Sequence, residues 1–347
     1  MPSLLRITAV AVLAAAMLYV PWWLLFVLAA VLYVPARRWA AGGVCESRAR
    51  LDGKTVIITG ANTGIGKVTA RDMAERGARV ILACRSLEKA EEAAKEIRSQ
   101  TGNKNVAVHK LDLASLTSVR QFAKVINDAE PRLDVLINNA GVMGCPRWET
   151  EDGFEMQLGV NHLGHFLLTN LLLDKLKQSA PSRVVTVSSL VHAFPSGMDF
   201  DDINYEKDYS PNKAYDRSKL ANVLFSRELA KRLKGTGVTS NCLHPGVIMG
   251  SELMRFQREQ WQKKFGELVA AALSKLVGGV FSVFGKTVEQ GAQTSICLAV
   301  AEELEKTTGL YFSDCVPKET SAAGKDDEAA ARLWGVSERM VGLKSAT

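Results

Sequence analysis

Tyr215 and Lys219 stand four residues apart in the run Tyr215-Asp216-Arg217-Ser218-Lys219. On a helix that spacing puts both side chains on one face, within reach of each other. A phenol alone is a poor acid–base group, with an ordinary pKa near ~10. A neighbouring ammonium favours the phenolate and lowers that value. The pair is therefore suited to passing a proton to or from a substrate oxygen. A second run, Thr59-Gly60-Ala61-Asn62-Thr63-Gly64-Ile65-Gly66, suits a different task. Its glycines permit a tight turn and a close backbone approach. If a helix starts within it, the free N–H groups and the positive end of the helix dipole face an anion such as a pyrophosphate.

The end of the second apolar run bears on which dinucleotide is used. A carboxylate there accepts from a ribose 2′-hydroxyl, whereas an arginine suits a 2′-phosphate. This run ends Cys84-Arg85-Ser86, with no Asp or Glu at that point. Arg85 is expected to pair with the 2′-phosphate through charge-assisted bonds, with Ser86 adding a hydroxyl, which predicts NADP(H).

These residues need a scaffold, and the chain alternates the elements that would supply one. Strands are expected at Lys54–Thr59, Arg79–Cys84, Asn105–Leu111, Leu133–Asn138, Arg183–Ser188 and Val238–Leu243, with a last short strand at Gly309–Phe312. Helices are expected at Ile65–Arg76, Leu87–Gln100, Leu116–Asp128, within Phe154–Leu176, at Tyr215–Leu233 and at Val288–Ala301. Near-continuous apolar strands alternating with helices predict an α/β fold, a parallel sheet covered by helices on both faces.

The glycine spacing is G-x-x-x-G-x-G, and in this the chain resembles the short-chain dehydrogenase/reductase family. Further motifs follow in the family's order: Asp112-Leu113, Asn138-Asn139-Ala140-Gly141, Ser188-Ser189, the Y-x-x-x-K run, and Pro245-Gly246 with Val247. The resemblance extends from Leu51 to about Asp314 and implies a single Rossmann-type, doubly wound domain. It implies that Tyr215 is the acid/base and that Lys219 also bonds the nicotinamide ribose. It implies that Ser189, the second serine by register, holds the substrate oxygen. Asn161, in Val160-Asn161-His162-Leu163-Gly164, matches an asparagine that holds a water in the family's proton relay. The implied cofactor contacts are the Gly60–Gly66 loop, Arg85, Ser86, Asp112, Leu113, Asn138, Ala140, Gly141, Tyr215, Lys219, Pro245, Gly246 and Val247.

Thr59–Lys67, Leu82–Arg85, Val160–Leu167, Ser218–Leu224, His244–Val247 and Tyr311–Cys315 are similar to the membrane-anchored, NADP-type retinol/retinal dehydrogenase branch. That branch acts on retinoids and other lipid aldehydes or alcohols. Two departures stand out. Val191–Lys213 matches no motif, and Val247–Ser251 lacks the threonine many members place on the cofactor amide, leaving Ser251 as a substitute. Other lipid, steroid or xenobiotic carbonyls remain open as substrates. A cofactor-bound scaffold of low turnover is the reading from another class, opposed by the intact Asn161, Ser189, Tyr215 and Lys219.

No residue from Ile7 to Ala36 is charged, a run longer than the ~18 apolar residues that mark a spanning helix. A cleaved signal has a shorter apolar core and a small-residue cleavage site. This run ends in Arg37-Arg38-Trp39, which favours a retained anchor. Pro21 leaves one kinked span and a shallow hairpin both open. The heavier positive flank follows the run, placing the body in the cytosol, with the endoplasmic reticulum as the expected membrane. A cytosolic, reduced NADPH pool would favour carbonyl reduction. The expected layout is an anchor over 1–40, a linker over 41–50, a catalytic domain over 51–320 and a tail or helix over 321–347. An apolar stretch with basic punctuation near 248–286 reads as a lid resting on the bilayer or as a helix docked on the core.

The net charge of +6 comes without a Lys/Arg run in the body, which argues against a nucleic-acid partner. A homodimer stays open. Cys45, Cys84, Cys145, Cys242, Cys297 and Cys315 form no C-x-x-C pair and read as reduced, mostly core residues. His162, His165, His192 and His244 read as pocket walls or satisfied polar groups, not metal ligands.

Overall fold

The computed structural model describes residues 22–248, 253, 256, 266 and 285–343. Helix α1 spans Trp22–Ala41. The body then runs β1 (Thr55–Thr59), α2 (Gly64–Glu75), β2 (Arg79–Cys84), α3 (Leu87–Thr101), β3 (Val106–Lys110), α4 (Leu116–Ala129) and β4 (Val135–Asn138). It continues with α5 (Gly164–Gln178), β5 (Ser182–Val187), α6 (Pro211–Arg232), β6 (Val238–Leu243), α7 (Val288–Val300), β7 (Tyr311–Ser313), β8 (Val316–Lys318) and α8 (Asp327–Met340). The eight strands form one sheet in the order β3-β2-β1-β4-β5-β6-β7-β8, parallel except for β8.

Thr55–Thr59 and Val135–Asn138 are buried along their whole length, as central strands covered on both faces must be. One core layer joins the sheet to α2, α3 and α7 through Met73, Ile97 and Ile296. The other joins it to α4, α5, α6 and α8 through Phe122, Phe166, Phe225 and Trp334. The C-terminal segment thus holds a helix docked on the core: Trp334 lies 4.9 Å from Phe166 and carries Arg232 4.3 Å over its ring.

The chain leaves β1 towards β2 and β3 on one side, and later builds β4 to β7 on the other. The order reverses between β1 and β4, which opens a crevice beyond their carboxyl ends, the usual ligand site of such sheets. The loops after β1, β2, β4, β5 and β6 all leave at that edge.

Three details differ from the sequence expectations. β8 is a short exposed antiparallel strand containing Pro317. α6 begins at Pro211, with Pro in its first turn after Ser210, rather than at Tyr215. The helix expected within Phe154–Leu176 is entered through a turn at Met156–Leu158 and a π-helical turn at Gly159–Leu163.

The first 21 residues of the expected anchor lie outside the described residues, as do most of the expected lid and Ser251. Among the described residues no helix is long and apolar enough to cross a membrane. At the C-terminal end of α1, Arg37 Nη1 donates to Gly285 O at 2.6 Å, tying that end to the body.

Candidate active site

The phosphate loop is built as its glycines require. Gly64 has φ +57°, and a Cβ there would project into open space. A Cβ on Gly66 would lie 2.5 Å from Gly60 O and 2.6 Å from Asn139 Nδ2, so the first turn of α2 packs directly on the loop. Thr63 precedes α2 in extended conformation and makes no side-chain cap. The first N–H groups of the helix are therefore left for an external anion.

Thr59 holds this loop to the turn after β4. Its hydroxyl accepts from Asn139 N at 2.9 Å and Ala140 N at 3.0 Å. Asn139 Nδ2 returns to Thr59 O at 2.8 Å. Asn138 takes a different part: it is buried, and its Nδ2 donates to Thr169 Oγ1 on α5 at 3.0 Å. The asparagine side chain that shapes the crevice is therefore Asn139. A β-strand sends successive side chains to opposite faces, so the neighbour of a core-facing residue turns the other way.

The π-helical turn aims Asn161. Its Oδ1 accepts from Val142 N at 2.8 Å, and its Nδ2 donates to Val142 O at 3.0 Å and to Ser218 Oγ at 2.9 Å. Such turns inside helices recur at functional sites because the extra residue redirects side chains. A Cβ on Gly141 would meet Asn161 Oδ1 at 3.2 Å and Lys219 Nζ at 3.6 Å, so the Ala140–Gly141 turn, Asn161 and Lys219 converge.

His165, one turn on, closes the network. Its Nδ1 lies 3.0 Å from Asn161 O and its Nε2 2.8 Å from the Thr59 hydroxyl. One tautomer satisfies both: Nδ1–H donates to the carbonyl and Nε2 accepts from Thr59. Burial depresses its pKa to about 4, keeping the ring neutral. His162 is buried against Ser337 Oγ at 2.8 Å and pushed down to about 3. His192 bonds Ser189 O at 2.7 Å and Thr320 Oγ1 at 2.8 Å. Asn139 belongs to the Asn-Asn-Ala-Gly motif, but the structural roles of Thr59, His165 and Ser218 are not announced by motif spacing; the signals for the first two are a threonine just before the glycines and a histidine four residues after Asn161.

Tyr215, Ser189 and Lys219 meet at the ends of β5 and α6. Ser188 Oγ donates to Lys219 O at 2.7 Å and is buried, so Ser189 is the serine left facing the cleft. Ser189 lies near enough to the Tyr215 side chain to pull the phenol's pKa down. Lys219 Nζ lies 5.6 Å from the Tyr215 ring centroid and donates to Val187 O at 3.1 Å. Among the described residues it has no second acceptor, so its other N–H groups suit the hydroxyls of a ribose.

Burial pushes the Tyr215 phenol above its ordinary value, against a smaller downward pull from Ser189. Burial also lowers Lys219 to about 8. The expected lowering of the phenol by Lys219 is not seen: burial and the nearby Asp216 charge hold the phenol up. The result is a protonated phenol at neutral pH, held beside a serine hydroxyl, suited to donating a proton to a carbonyl oxygen.

Arg85 follows β2 directly, is exposed, and forms no ion pair among the described residues. Ser86 caps α3, accepting from Lys89 N at 3.5 Å. Asp112 Oδ1 accepts from Ala114 N at 3.0 Å, and Leu113 packs where a Cβ on Gly164 would meet its carbonyl at 2.6 Å. Gly246 N donates to His244 Nδ1 at 3.0 Å after Pro245, and Val247 O accepts from Lys286 N at 2.9 Å. These residues all belong to loops at the crevice edge. The open helix terminus, the glycine cradle and the free N–H groups of Lys219 fit a dinucleotide.

Known proteins share this arrangement. A family profile described as short chain dehydrogenase matches residues 54–262. The chain is 53% identical to human (Homo sapiens) retinol dehydrogenase 13 over 308 residues, 88% of this chain and 90% of that protein. It is 53% identical to human retinol dehydrogenase 12, covering 89% and 92%, and 46% identical to human retinol dehydrogenase 14, covering 97% and 98%. An uncharacterized protein from Mycobacterium paratuberculosis superposes with a TM-score of 0.68 at 35% identity, covering 88% of this chain and 100% of the other. The Pseudomonas aeruginosa RhlG/NADP active-site complex follows at a TM-score of 0.57 and 27% identity, covering 76% and 95%. The chain belongs to the short-chain dehydrogenase family, is an oxidoreductase that takes a nicotinamide cofactor, and falls in the retinol dehydrogenase branch.

Proposed function

We propose that the chain is an NADP(H)-dependent oxidoreductase that interconverts a lipophilic alcohol and its aldehyde or ketone, with retinol and retinal as substrates, and that it works in the cell as a retinal reductase. The observation that carries this is the buried Tyr215 phenol beside Ser189 and Lys219, at the same sheet edge as the glycine loop and one strand beyond the switch point. The bound nicotinamide supplies the hydride in reduction. Ser189 Oγ and Tyr215 Oη hold the carbonyl oxygen between them, and Tyr215 Oη gives up its proton to that oxygen. Lys219 Nζ, anchored on Val187 O, holds the ribose and stabilises the phenolate that remains. Asn161 sits beside Lys219, where it can hold the water that returns a proton. Arg85 supports the 2′-phosphate and hence NADP(H). The names of retinol dehydrogenases 12, 13 and 14, to which the chain is about half identical, support the retinoid.

All-trans-retinal and a short water-soluble aldehyde, each assayed with NADPH, test the substrate class. Retinal should give a kcat/KM at least about a hundredfold higher, because each buried CH₂ contributes about 0.8 kcal/mol. Equal values would remove the lipophilic assignment.

The proposal includes a membrane anchor within residues 1–40, with the body facing the cytosol. Protease added to intact microsomes should digest the body without detergent. Full protection until detergent is added would refute that topology.

A further inference from the structure

Cys45, Cys297 and Cys315 come from the linker after α1, the later part of α7 and the β7–β8 turn, and they meet on one side of the body. The linker passes close to Cys315: a Cβ on Gly43 would meet Cys315 Cβ at 3.3 Å. Cys297 Sγ also lies 3.9 Å from Cys315 O. Cys297 is buried, while Cys45 and Cys315 are half-exposed. The junction is tied from several directions. Cys45 N donates to Gln293 Oε1 at 3.0 Å, Cys315 N donates to Thr294 Oγ1 at 3.3 Å, and Lys286 Nζ pairs with Asp314. Both Asp314 and Cys315 have left-handed backbone, φ 56° and 62°. Among the described residues no cluster of His, Cys, Asp or Glu is arranged to hold a metal. None of the three thiols takes part in the hydride or proton steps.

The three thiols are not equivalent. Cys315 is lowered, first by its hydrogen bond from Cys297, against burial, with Thr294 and the Lys286 charge adding to the lowering. Cys297 is raised to about 12 and Cys45 is raised further, each chiefly by a thiol hydrogen bond. Thiolate is the nucleophilic form, so reactivity concentrates on Cys315, the half-exposed member beside a buried partner.

We propose that Cys315 and Cys297 form a hydroperoxide-responsive dithiol, in which Cys315 is oxidised and Cys297 then closes a disulfide with it. In the first step the Cys315 thiolate attacks one oxygen of the hydroperoxide. The S–O bond forms, the O–O bond breaks, and the other oxygen leaves as hydroxide or alkoxide and takes a proton. Sulfur loses two electrons and becomes a sulfenic acid. In the second step Cys297 sulfur attacks the sulfenic sulfur, the S–S bond forms, and water leaves with the Cys297 proton. With hydrogen peroxide the sum is two thiols and one peroxide giving one disulfide and two waters. The bridge would fasten α7 to the β7–β8 turn, next to the linker that leads from α1.

Full-length protein in detergent is treated with one equivalent of hydrogen peroxide, alkylated and digested with trypsin without reduction. Cleavage puts the three cysteines in separate peptides, Trp39–Arg48, Thr287–Lys306 and Thr307–Lys318. The expected product joins Thr287–Lys306 to Thr307–Lys318 within a monomer on a non-reducing gel, and dithiothreitol removes it. In untreated protein at pH 7, Cys315 should alkylate about tenfold faster than Cys45 or Cys297. Cys297→Ser should leave a sulfenic acid on Cys315 that dimedone traps. A wild-type digest in which Cys315 stays reduced while other thiols oxidise would overturn the proposal. So would a bridge that joins Cys45 instead, or one found only between two chains.

Discussion

Tyr215→Phe should lower kcat for retinal reduction by about a thousandfold or more while leaving the Kd for NADPH within about twofold. The substitution removes one oxygen and keeps the ring. In the proposed reaction that oxygen carries the proton destined for the carbonyl, and no other group described beside it takes that part. Ser189 has an ordinary alcohol with no lysine beside it, and His165 and His192 are each held between two partners away from the reacting oxygen. Apart from Tyr215 itself, the proposed cofactor contacts lie on the Gly60–Gly66 loop, Arg85, the Ala140–Gly141 turn and Lys219, which the substitution does not touch. Loss of the contact with Ser189 costs about 1 kcal/mol of stability, too little to unfold the chain. Stopped-flow NADPH oxidation with a parallel fluorescence titration reads both quantities. A variant that keeps a tenth or more of kcat would remove Tyr215 from the proton step.

Arg85→Asp should reverse the choice of cofactor. The substitution deletes the proposed guanidinium partner of the 2′-phosphate and puts a carboxylate in its place. A charge-assisted contact of this kind is worth about 2–3 kcal/mol, and the new repulsion adds to the loss. The ratio of kcat/KM for NADPH over NADH should fall by about a hundredfold or more. Most of the change belongs in KM for NADPH, because the phosphate is remote from the reacting carbon. A ratio that does not move would mean that another residue reads the ribose.

Much of this site is legible in the sequence because its parts are local. The turn after β1 needs glycine at Gly64 and Gly66 for backbone reasons, and a four-residue spacing puts Tyr215 and Lys219 on one face of α6. β1, β2 and β4 can be read because buried parallel strands are near-continuous apolar runs. β8 cannot, since Val316-Pro317-Lys318 is short, exposed and interrupted by proline. The start of α6 is present as Ser210-Pro211, a standard helix-entry pair, but lies in the loop that matches no motif. The π-helical turn at Asn161 arises from tertiary bonds to Val142 and Ser218, and no periodicity signals it. The Thr59–His165–Asn161 chain and the meeting of Cys45 with Cys297 and Cys315 depend on contacts between distant segments. Along the sequence those cysteines are scattered, and only the fold brings them together. The protonation state of Tyr215 is the opposite case: spacing identifies Lys219 as its neighbour, but the burial that raises the phenol is a property of the folded interior.

The central claim is that this site reduces a lipophilic carbonyl with NADPH. The most direct test adds all-trans-retinal to purified full-length protein in detergent with NADPH or NADH in parallel, following nicotinamide absorbance and separating the retinoids chromatographically. One retinol should form per NADPH consumed, with NADPH favoured over NADH by at least about tenfold in kcat/KM. No retinol with either cofactor, or faster turnover with NADH, would contradict it.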